Sequence, residues 1–420
     1  MKRALVLSGG GSRGAYEVGA WRALEELGVR FQAVYGASVG AINAALVAQG
    51  DRALAEKLWD EIDLKQILAT DDEDFAIDSM ISRKRDVIPF LVENAKHLRV
   101  DTKPLEELIH RHLNESAVRA SGMELGMMTV RAPQMQPVGI HLSEMRPGML
   151  GDWILASASC FPVFPARKID GERYLDGGYF DNLPIDMAIR DGADEIVAID
   201  LHPEPAHPEY GRMPFLRMIH PLHNLGGFLD FNPRLLKRMR LMGYYDTMKA
   251  YGALDGIRYT FTRTGEVRVS PVAHRFMRRV ASFDAETIRR VALHSSQPMH
   301  APLISALEAE TPLRKLDWKE VWLRGIELAA QAMEFREDAI YDPCLLAERI
   351  LKFADSGERA EALNEKLIAE TAKKGSRELL GLLVRALRDH GVFPGDVLRT
   401  LADHPVETAA ALALDCAREM

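Results

Sequence analysis

The feature that most constrains this chain is a short apolar run that leads straight into three glycines. Residues 4–7 (ALVL) are continuously apolar, which is typical of a strand buried on both faces of a parallel sheet. The turn SGGGSRG follows, and apolar side chains from Val18 to Leu27 then recur at helical spacing. A second run, FQAVYG (31–36), is again followed by a small-residue turn and a helix former, AINAALVAQ. The order strand, helix, strand, helix predicts an α/β fold, a three-layer arrangement in which helices flank a mainly parallel central sheet.

The remaining pattern indicates an insertion, a candidate lid and a helical extension. Residues 51–120 are charged and mainly helical in pattern, and we interpret them as a helical insertion. Residues 202–232 resemble a loop with exposed apolar side chains, which makes them a candidate lid. Residues 257–271 suggest a hairpin, after which the pattern is almost wholly helical. We expect one α/β domain over residues 1–272 and an all-helical region over residues 273–420.

The composition argues against several classes of protein. The 53 Lys and Arg residues against 61 Asp and Glu give a net charge of -8, so we expect no overall basic surface for nucleic acid. The cysteines Cys160, Cys344 and Cys416 are far apart, which indicates neither a disulfide framework nor a zinc site. The N-terminus lacks an apolar stretch of signal-peptide length, and no run approaches a membrane span. We expect a cytoplasmic protein.

A serine stands in a G-x-S-x-G pattern where the second strand gives way to a helix. The pattern comprises Gly36, Ser38 and Gly40. A sharp strand-to-helix turn holds such a serine in a strained, accessible position, and the flanking glycines allow the tight bend. The neighbouring helix N-terminus favours developing negative charge. This context predicts a nucleophilic serine, and the alternative is a turn whose small residues only let the strand and helix pack.

The first glycine turn has two competing interpretations. Gly9, Gly11 and Gly14 match the dinucleotide fingerprint G-x-G-x-x-G, which requires an acidic residue about 20 positions later. Residues 29–38 contain no Asp or Glu. The second strand ends instead at the serine turn, and both turns should open at the same edge of a parallel sheet. The turn therefore resembles an oxyanion hole, in which backbone N–H groups stabilise the negative oxygen of acyl transfer.

Within that turn, Gly10 and Gly11 have no side chain to prevent close approach of an oxyanion to their amides. Arg13 has two open roles. Its guanidinium can add positive charge beside the oxyanion, or it can cap the loop by binding backbone carbonyls.

A third pattern, ERYLDGGYFDNLP, contains a candidate base for the serine. Asp176 ends a short strand and is followed by Gly177 and Gly178, so a tight turn can direct its carboxylate towards Ser38. Asp-Gly-Gly is also an ordinary turn sequence. A competing assignment uses His202, which follows the strand EIVAID, to complete a conventional triad.

Taken in order, the glycine turn with its arginine, the G-x-S-x-G turn and the D-G-G turn resemble the patatin-like phospholipase family. The resemblance covers about residues 3–255 and includes ASASCFPVFPA (156–166) and LMGYYDTMKA (241–250). This chain has D-G-G where many members have D-G-A. The helices from about residue 275 onward have no counterpart in the minimal family core, so their role stays open.

The resemblance implies a serine lipid acyl hydrolase with a Ser-Asp dyad and no histidine. Ser38 would attack an acyl ester, Asp176 would take and return the proton, and the amides of Gly10, Gly11 and the following residues would hold the oxyanion. Water would then release the fatty acid. No metal ion or organic cofactor is implied. Two alternatives stay open: a non-catalytic module that binds lipid or phosphate, and a scaffold that binds a protein through its helical C-terminal region.

A lipid substrate raises the question of membrane contact. The apolar segment Met213–Phe231 and the basic side chains that follow it suggest a peripheral membrane contact, and these side chains are Arg234, Lys237, Arg238 and Arg240. A lid packed on the core and a solvated surface helix explain the same residues. Four histidines, at positions 202, 207, 220 and 223, lie at irregular spacing between prolines, so no metal site is expected there.

Overall fold

A computed structural model describes residues 1–67, 69–70, 100–161, 163–202, 204, 206–292, 300–311, 315–356 and 362–420. The chain divides into two compact units, Met1–Ala250 and Tyr251–Met420. This division lies ahead of the boundary expected at 272/273, because one helix, Glu266–Ala292, runs through the expected position. In the described part, no helix has the length and apolar character needed to cross a bilayer.

The first unit is built on an eight-stranded sheet of mixed direction. Its strands are β1 (Arg3–Leu7), β2 (Ala33–Ala37), β5 (Glu124–Ala132), β6 (Gln136–His141), β7 (Arg167–Ile169), β8 (Glu172–Asp176), β9 (Glu195–Ile199) and β10 (Leu216–Ile219), while β3 (Ala69–Thr70) and β4 (Val100–Asp101) form a separate antiparallel pair. The order across the sheet is β10-β9-β1-β2-β5-β8-β7, and β6 also pairs with β5. Strands β10, β9, β1, β2 and β5 run parallel. The predicted α/β class, with a mainly parallel sheet, is confirmed.

The long strand β5 positions the end of β2 beside the end of β8. Residues Glu124–Met128 of β5 pair in parallel with β2, so that Ala37 lies opposite Met128. The next residue of β5, Thr129, lies opposite Asp176 at the end of the antiparallel strand β8. The residue after Ala37 is Ser38. One continuous strand therefore brings the serine turn and the D-G-G turn together, although they are far apart in sequence.

Helices flank the sheet of this unit, and the first two follow β1 and β2 as the sequence predicts. Helix α1 (Ala15–Glu26) follows a 3-10 turn at Gly11–Gly14, and α2 (Val39–Gln49) ends at Gly50, whose left-handed conformation suits glycine. Helix α3 (Arg52–Glu61) begins at Asp51, whose carboxylate accepts a hydrogen bond from the Leu54 amide. The other helices of the unit are Lys103–His112, Glu115–Ala120, Leu150–Ser157, Ile185–Arg190 and Pro233–Ala250, with 3-10 turns at Leu64–Gln66, Gly177–Tyr179 and Pro208–Arg212.

The insertion expected over residues 51–120 is described only at its two ends. There it contains α3, the 3-10 turn, the β3 and β4 pair, and the helices Lys103–His112 and Glu115–Ala120. Residues 68 and 71–99 of the expected insertion lie outside the described residues.

The segment 202–232 differs from the lid that the sequence suggests. Leu216–Ile219 forms the edge strand β10, which pairs in parallel with β9. The apolar side chains expected to be exposed are largely buried, among them Ile219, Leu225, Leu229 and Phe231. The exposed apolar loop is not observed, and the burial fits the alternative of a segment packed on the core. An edge strand and a packed loop can be as rich in apolar residues as an insertable surface.

The second unit is helical around its own core. Its helices are Glu266–Ala292, Pro302–Leu307, Trp318–Ala332, Pro343–Ala354, Glu365–Ala372, Ser376–His390, Leu398–Ala402 and Pro405–Ala417. Buried side chains such as Phe276, Trp322 and Leu414 fill its interior. The region is not entirely helical, because Thr260–Phe261 and Ile340–Tyr341 form a short parallel pair. Because Thr260–Phe261 pairs with this distant strand, the prediction of a hairpin at 257–271 is wrong.

Candidate active site

Ser38 occupies a strained turn between β2 and α2. Its backbone dihedrals are φ 55° and ψ -127°, a region that non-glycine residues rarely adopt and that clusters at functional sites. Glycine is required on both sides. A Cβ atom added to Gly36 would lie 2.3 Å from the Gly40 carbonyl oxygen, and one added to Gly40 would lie 2.4 Å from the Leu7 oxygen. The turn has the structure that the G-x-S-x-G spacing predicts.

Asp176 lies within hydrogen-bonding distance of the serine. The Ser38 hydroxyl donates to Oδ2 of Asp176 at 2.7 Å, and the Gly178 amide donates to Oδ1 at 2.8 Å. Both side chains are buried, with exposed fractions of 6% for Ser38 and 5% for Asp176. The carboxylate is therefore held by one donor on each oxygen and points at the serine hydroxyl.

Burial changes the acidity of this carboxyl group. Desolvation raises the pKa of Asp176 to about 6, although the hydrogen bonds from Ser38 and Gly178 act in the opposite direction. An ordinary aspartate is too weak a base to take a proton near neutral pH, and a raised pKa brings it closer to the range of an effective general base.

A second serine, Ser157, supports the turn and was not among the residues predicted from the sequence. The Ser38 amide donates to the Ser157 hydroxyl at 3.1 Å, and that hydroxyl donates to the Met128 carbonyl at 2.7 Å. Asn182 supports the glycine turn in the same way, because its side-chain amide donates to the Gly9 carbonyl at 3.0 Å. Ser157 lies in the Ala-Ser segment noted at 156–166, but nothing in its spacing marks this role.

The glycine turn lies beside Ser38 and leaves two amides unused. A Cβ atom on Gly9 would lie 2.9 Å from Cβ of Ser38. The Gly9 amide donates to the Asn182 carbonyl. Among the described residues, neither the Gly10 amide nor the Gly11 amide donates a hydrogen bond. A methyl group on any remaining motif glycine would also meet a neighbouring atom closer than 3.0 Å: Gly9, Gly10, Gly11, Gly14, Gly177 and Gly178.

An apolar cavity opens at Ser38. Its volume is about 100 Å³, and Gly11 and Ser38 both line it. Ile42 and Leu46 of α2 line the cavity about one and two helical turns beyond Ser38, so the cavity follows this helix for about 12 Å. The other walls are also mostly apolar and include Trp59, Leu105, Ile109, Phe164, Phe228 and Phe231. A long hydrocarbon chain fits the chemistry of these walls.

Comparison with known proteins identifies a family for part of this chain. Residues 5–189 match the family model of the patatin-like phospholipases. This chain contains a patatin-like phospholipase domain. Patatin-like phospholipase domain-containing protein 6 of Mus musculus is 29% identical over 205 residues, which cover 47% of this chain and 13% of that protein. The cUMP-AMP-activated phospholipase of Escherichia coli is 28% identical over 227 residues, covering 48% of this chain and 66% of that protein.

The aligned region thus makes up only a small part of the mouse protein. Among solved structures, VipD from Legionella pneumophila aligns with 91% of this chain and 90% of its own, at 14% identity and a TM-score of 0.40.

Other predicted residues of the patatin-like domain have different surroundings. Nε of Arg13 donates to the Gly226 carbonyl at 3.0 Å, and burial lowers the pKa of this guanidinium. The arginine therefore ties the glycine turn to the loop that follows β10, as the second of the two expected roles requires.

The competing histidine is not at the site. Nδ1 of His202 lies 3.0 Å from Oδ1 of Asp200. Within the described ranges, no histidine nitrogen forms a hydrogen bond with Ser38 or Asp176. In the same part of the chain, no three His, Cys, Asp or Glu side chains are grouped to hold a metal ion.

Proposed function

We propose that this chain is a serine lipid acyl hydrolase that cleaves carboxylic ester bonds through Ser38 and Asp176. The observation that carries the proposal is the 2.7 Å hydrogen bond from the Ser38 hydroxyl to a buried carboxylate, beside an apolar cavity. The word phospholipase in the names of both relatives supports a lipid substrate. We assign the reaction to the unit Met1–Ala250, which contains Ser38, Asp176 and the residues that line the cavity.

In the first step, the Ser38 oxygen attacks the ester carbonyl carbon while Oδ2 of Asp176 takes the hydroxyl proton. The carbonyl oxygen becomes negative, and the Gly10 and Gly11 amides stabilise it by hydrogen bonds. Collapse of this intermediate breaks the ester C–O bond, and Asp176 gives its proton to the departing alcohol. The acyl group is then attached to Ser38.

In the second step, water replaces the alcohol. Asp176 takes a proton from the attacking water, and the same two amides hold the new oxyanion. Collapse breaks the bond between the acyl carbon and the Ser38 oxygen, which regains its proton from Asp176. The products are a free fatty acid and the original enzyme.

The cavity favours this chemistry over a non-catalytic phosphate site. A phosphate group needs charged or polar partners, whereas the walls beside Ser38 are mostly apolar. A fatty acyl chain instead gains free energy when apolar surface leaves water. The backbone strain at Ser38 also points to a role in reaction, because strain of this kind persists where function requires it.

A fluorophosphonate probe tests the proposal directly. The wild-type chain should be labelled and should release fatty acid from a panel of phospholipids and lysophospholipids. Ser38→Ala should remove labelling and lower hydrolysis by about 10⁴-fold or more.

The matched control is His202→Gln, which removes the competing base and should keep nearly full activity. Absence of both labelling and hydrolysis in well-folded wild-type chain would contradict the proposal. A loss in His202→Gln as large as that in Ser38→Ala would contradict the dyad alone.

A further inference from the structure

The surface around Asp176 has unusual aromatic exposure. Phe161 is 57% exposed, Tyr179 46% and Phe180 61%. In the described part of Met1–Ala250, these three are the exposed large aromatic side chains. Together they are named the aromatic rim. We propose that the aromatic rim inserts into a lipid bilayer and delivers its lipids to Ser38. The idea rests on the proposed function, because it assumes that the substrate comes from a bilayer.

The rim lies on the two loops that hold the catalytic carboxylate. The Asp176 backbone amide donates to the Ser159 carbonyl at 3.0 Å, which joins the loop that follows the helix Leu150–Ser157 to the end of β8. The Tyr179 hydroxyl donates to the Phe161 carbonyl, and the Phe180 amide donates to the Gly177 carbonyl at 3.0 Å. These bonds hold the Tyr179 side chain and the backbone of Phe161 and Phe180 beside the dyad.

The same loop faces the cavity with its other side chains. Ala158 and Phe164 line the cavity together with Ser38, whereas Phe161 between them is exposed. The loop thus connects the exposed rings to the wall against which an acyl chain would pack.

The chemistry of the rim fits the interface of a bilayer. Aromatic side chains are enriched where membranes meet water, because a ring combines apolar surface with weakly polar edges and, in tyrosine, a hydroxyl. Binding of this kind grows with buried apolar area and does not require anionic lipid. The segment Met213–Phe231 is unsuited to the task, since its apolar side chains at Leu225, Leu229 and Phe231 are buried.

Vesicle binding by the full chain tests the rim. Ser38→Ala serves as the background, so that binding is measured without turnover, and the vesicles are pure phosphatidylcholine or phosphatidylcholine with phosphatidylglycerol. The double variant Phe161→Ser/Phe180→Ser should bind both kinds of vesicle at least tenfold more weakly. A matched control, Met135→Ser/Ile189→Ser, removes two exposed apolar side chains elsewhere in the same unit and should bind normally.

Activity separates this inference from the proposed function. With Ser38 restored, the rim variant should hydrolyse a water-soluble butyrate ester within twofold of wild type, but vesicle lipid at least tenfold more slowly. If the wild-type chain binds vesicles through the aromatic rim and hydrolyses no ester, the proposed function is wrong, but membrane insertion by the rim is supported.

Three results would contradict the proposal that the aromatic rim inserts into a bilayer. The first is normal vesicle binding by the rim variant, and the second is no binding by any form. The third is binding only to anionic vesicles that is lost in Arg234→Gln/Lys237→Gln, which would assign contact to the basic side chains instead. Retained esterase activity in any of these cases would leave the proposed function intact.

Discussion

The two sides of Ser38 differ in how they are built. On one side, hydrogen bonds fix almost every group: Asp176 accepts from Ser38 and from Gly178, and the Ser38 amide donates to Ser157. On the other side, the cavity along α2 is lined mostly by aliphatic and aromatic side chains, such as Ile42 and Leu46. Directional contacts surround the Ser38 oxygen, and non-directional contacts surround the cavity that we propose for the acyl chain.

This difference indicates which substitutions should change the rate and which should change the choice of substrate. Hydrogen bonds lose their value when a donor or acceptor moves by a fraction of an ångström. Apolar packing depends on volume and tolerates changes that preserve it. We therefore expect the polar side to control the rate for every ester, and the cavity side to control which acyl chains are accepted.

The largest effect is expected on the polar side, at Asp176. Asp176→Asn should lower hydrolysis of all esters by about 10⁴-fold, because the amide cannot take the serine proton. In the wild type, activity should fall about tenfold per pH unit below the raised pKa of about 6. Rates across an acyl-chain series measured from pH 4 to pH 9 check both points.

The same substitution, Asp176→Asn, should increase stability although it lowers activity. A carboxyl pKa raised from 3.8 to about 6 by folding makes a contribution to stability that is full below the unfolded pKa and is lost as pH rises through the folded one. Asp176→Asn avoids this loss. At pH 8 its free energy of unfolding should exceed that of the wild type by up to roughly 3 kcal/mol. The gain should shrink at pH 4. The control Asp170→Asn alters an exposed ion pair with Arg146 and should change neither property.

A substitution on the cavity side should change selectivity. Leu46 lies two turns along α2 from Ser38, so Leu46→Trp should shorten the cavity. An extended acyl chain advances about 1.3 Å per carbon for C–C bonds of about 1.5 Å, so the 12 Å path holds roughly nine carbons. The Leu46→Trp variant should hydrolyse esters whose acyl chains need the full path about 10- to 100-fold more slowly than the wild type does. Butyrate esters should react at nearly the wild-type rate.

The volume-preserving variant Leu46→Met is the matched control and should keep the wild-type preference. A loss of equal size for all chain lengths in Leu46→Trp would break the separation between the two sides, because it would show that the cavity wall also holds the catalytic groups in place.

The smallest effect is expected at Glu17, which lies under the glycine turn. This carboxyl is almost fully buried, and burial raises its pKa. Its Oε2 accepts from Asn43 at 2.7 Å, and the same Asn43 amide donates to the Gly14 carbonyl at 3.0 Å. A neutral acid resembles glutamine, so Glu17→Gln should alter the free energy of unfolding by less than about 1 kcal/mol.

Glu17→Ala provides the contrast, because it leaves a cavity and removes an acceptor from Asn43. It should cost about 2–4 kcal/mol in urea unfolding at pH 7. Equal destabilisation by Glu17→Gln and Glu17→Ala would show that a charged carboxylate supports the turn, and that the polar side depends on charge as well as on hydrogen bonds.

Much of the site could be predicted from local sequence, because its turns are locally determined. The G-x-S-x-G turn needs glycine on both sides of Ser38 for steric reasons that involve nearby atoms. The glycine turn follows from an apolar strand and a helix on either side of it. Ser157 and Asn182 could not be predicted in this way, since each acts through a partner more than 100 residues away in sequence.

Exposure was the property that local sequence predicted least well. The segment Met213–Phe231 is apolar and looks insertable, yet it packs around an edge strand. Phe161 and Phe180, by contrast, are exposed. Whether an apolar residue faces water depends on what packs over it, and that information comes from distant parts of the chain.

The sequence by itself determined the α/β order of elements, the strained serine turn and the glycine turn, because each depends on periodicity or on steric limits within a few residues. Only the tertiary structure brought Asp176 to Ser38, since strand β5 pairs with β2 at Met128 and with β8 at Thr129. It also raised the pKa of that carboxyl by burial and left the rings of the aromatic rim uncovered. Burial and distant contacts are sums over the whole fold, so no short stretch of sequence contains them.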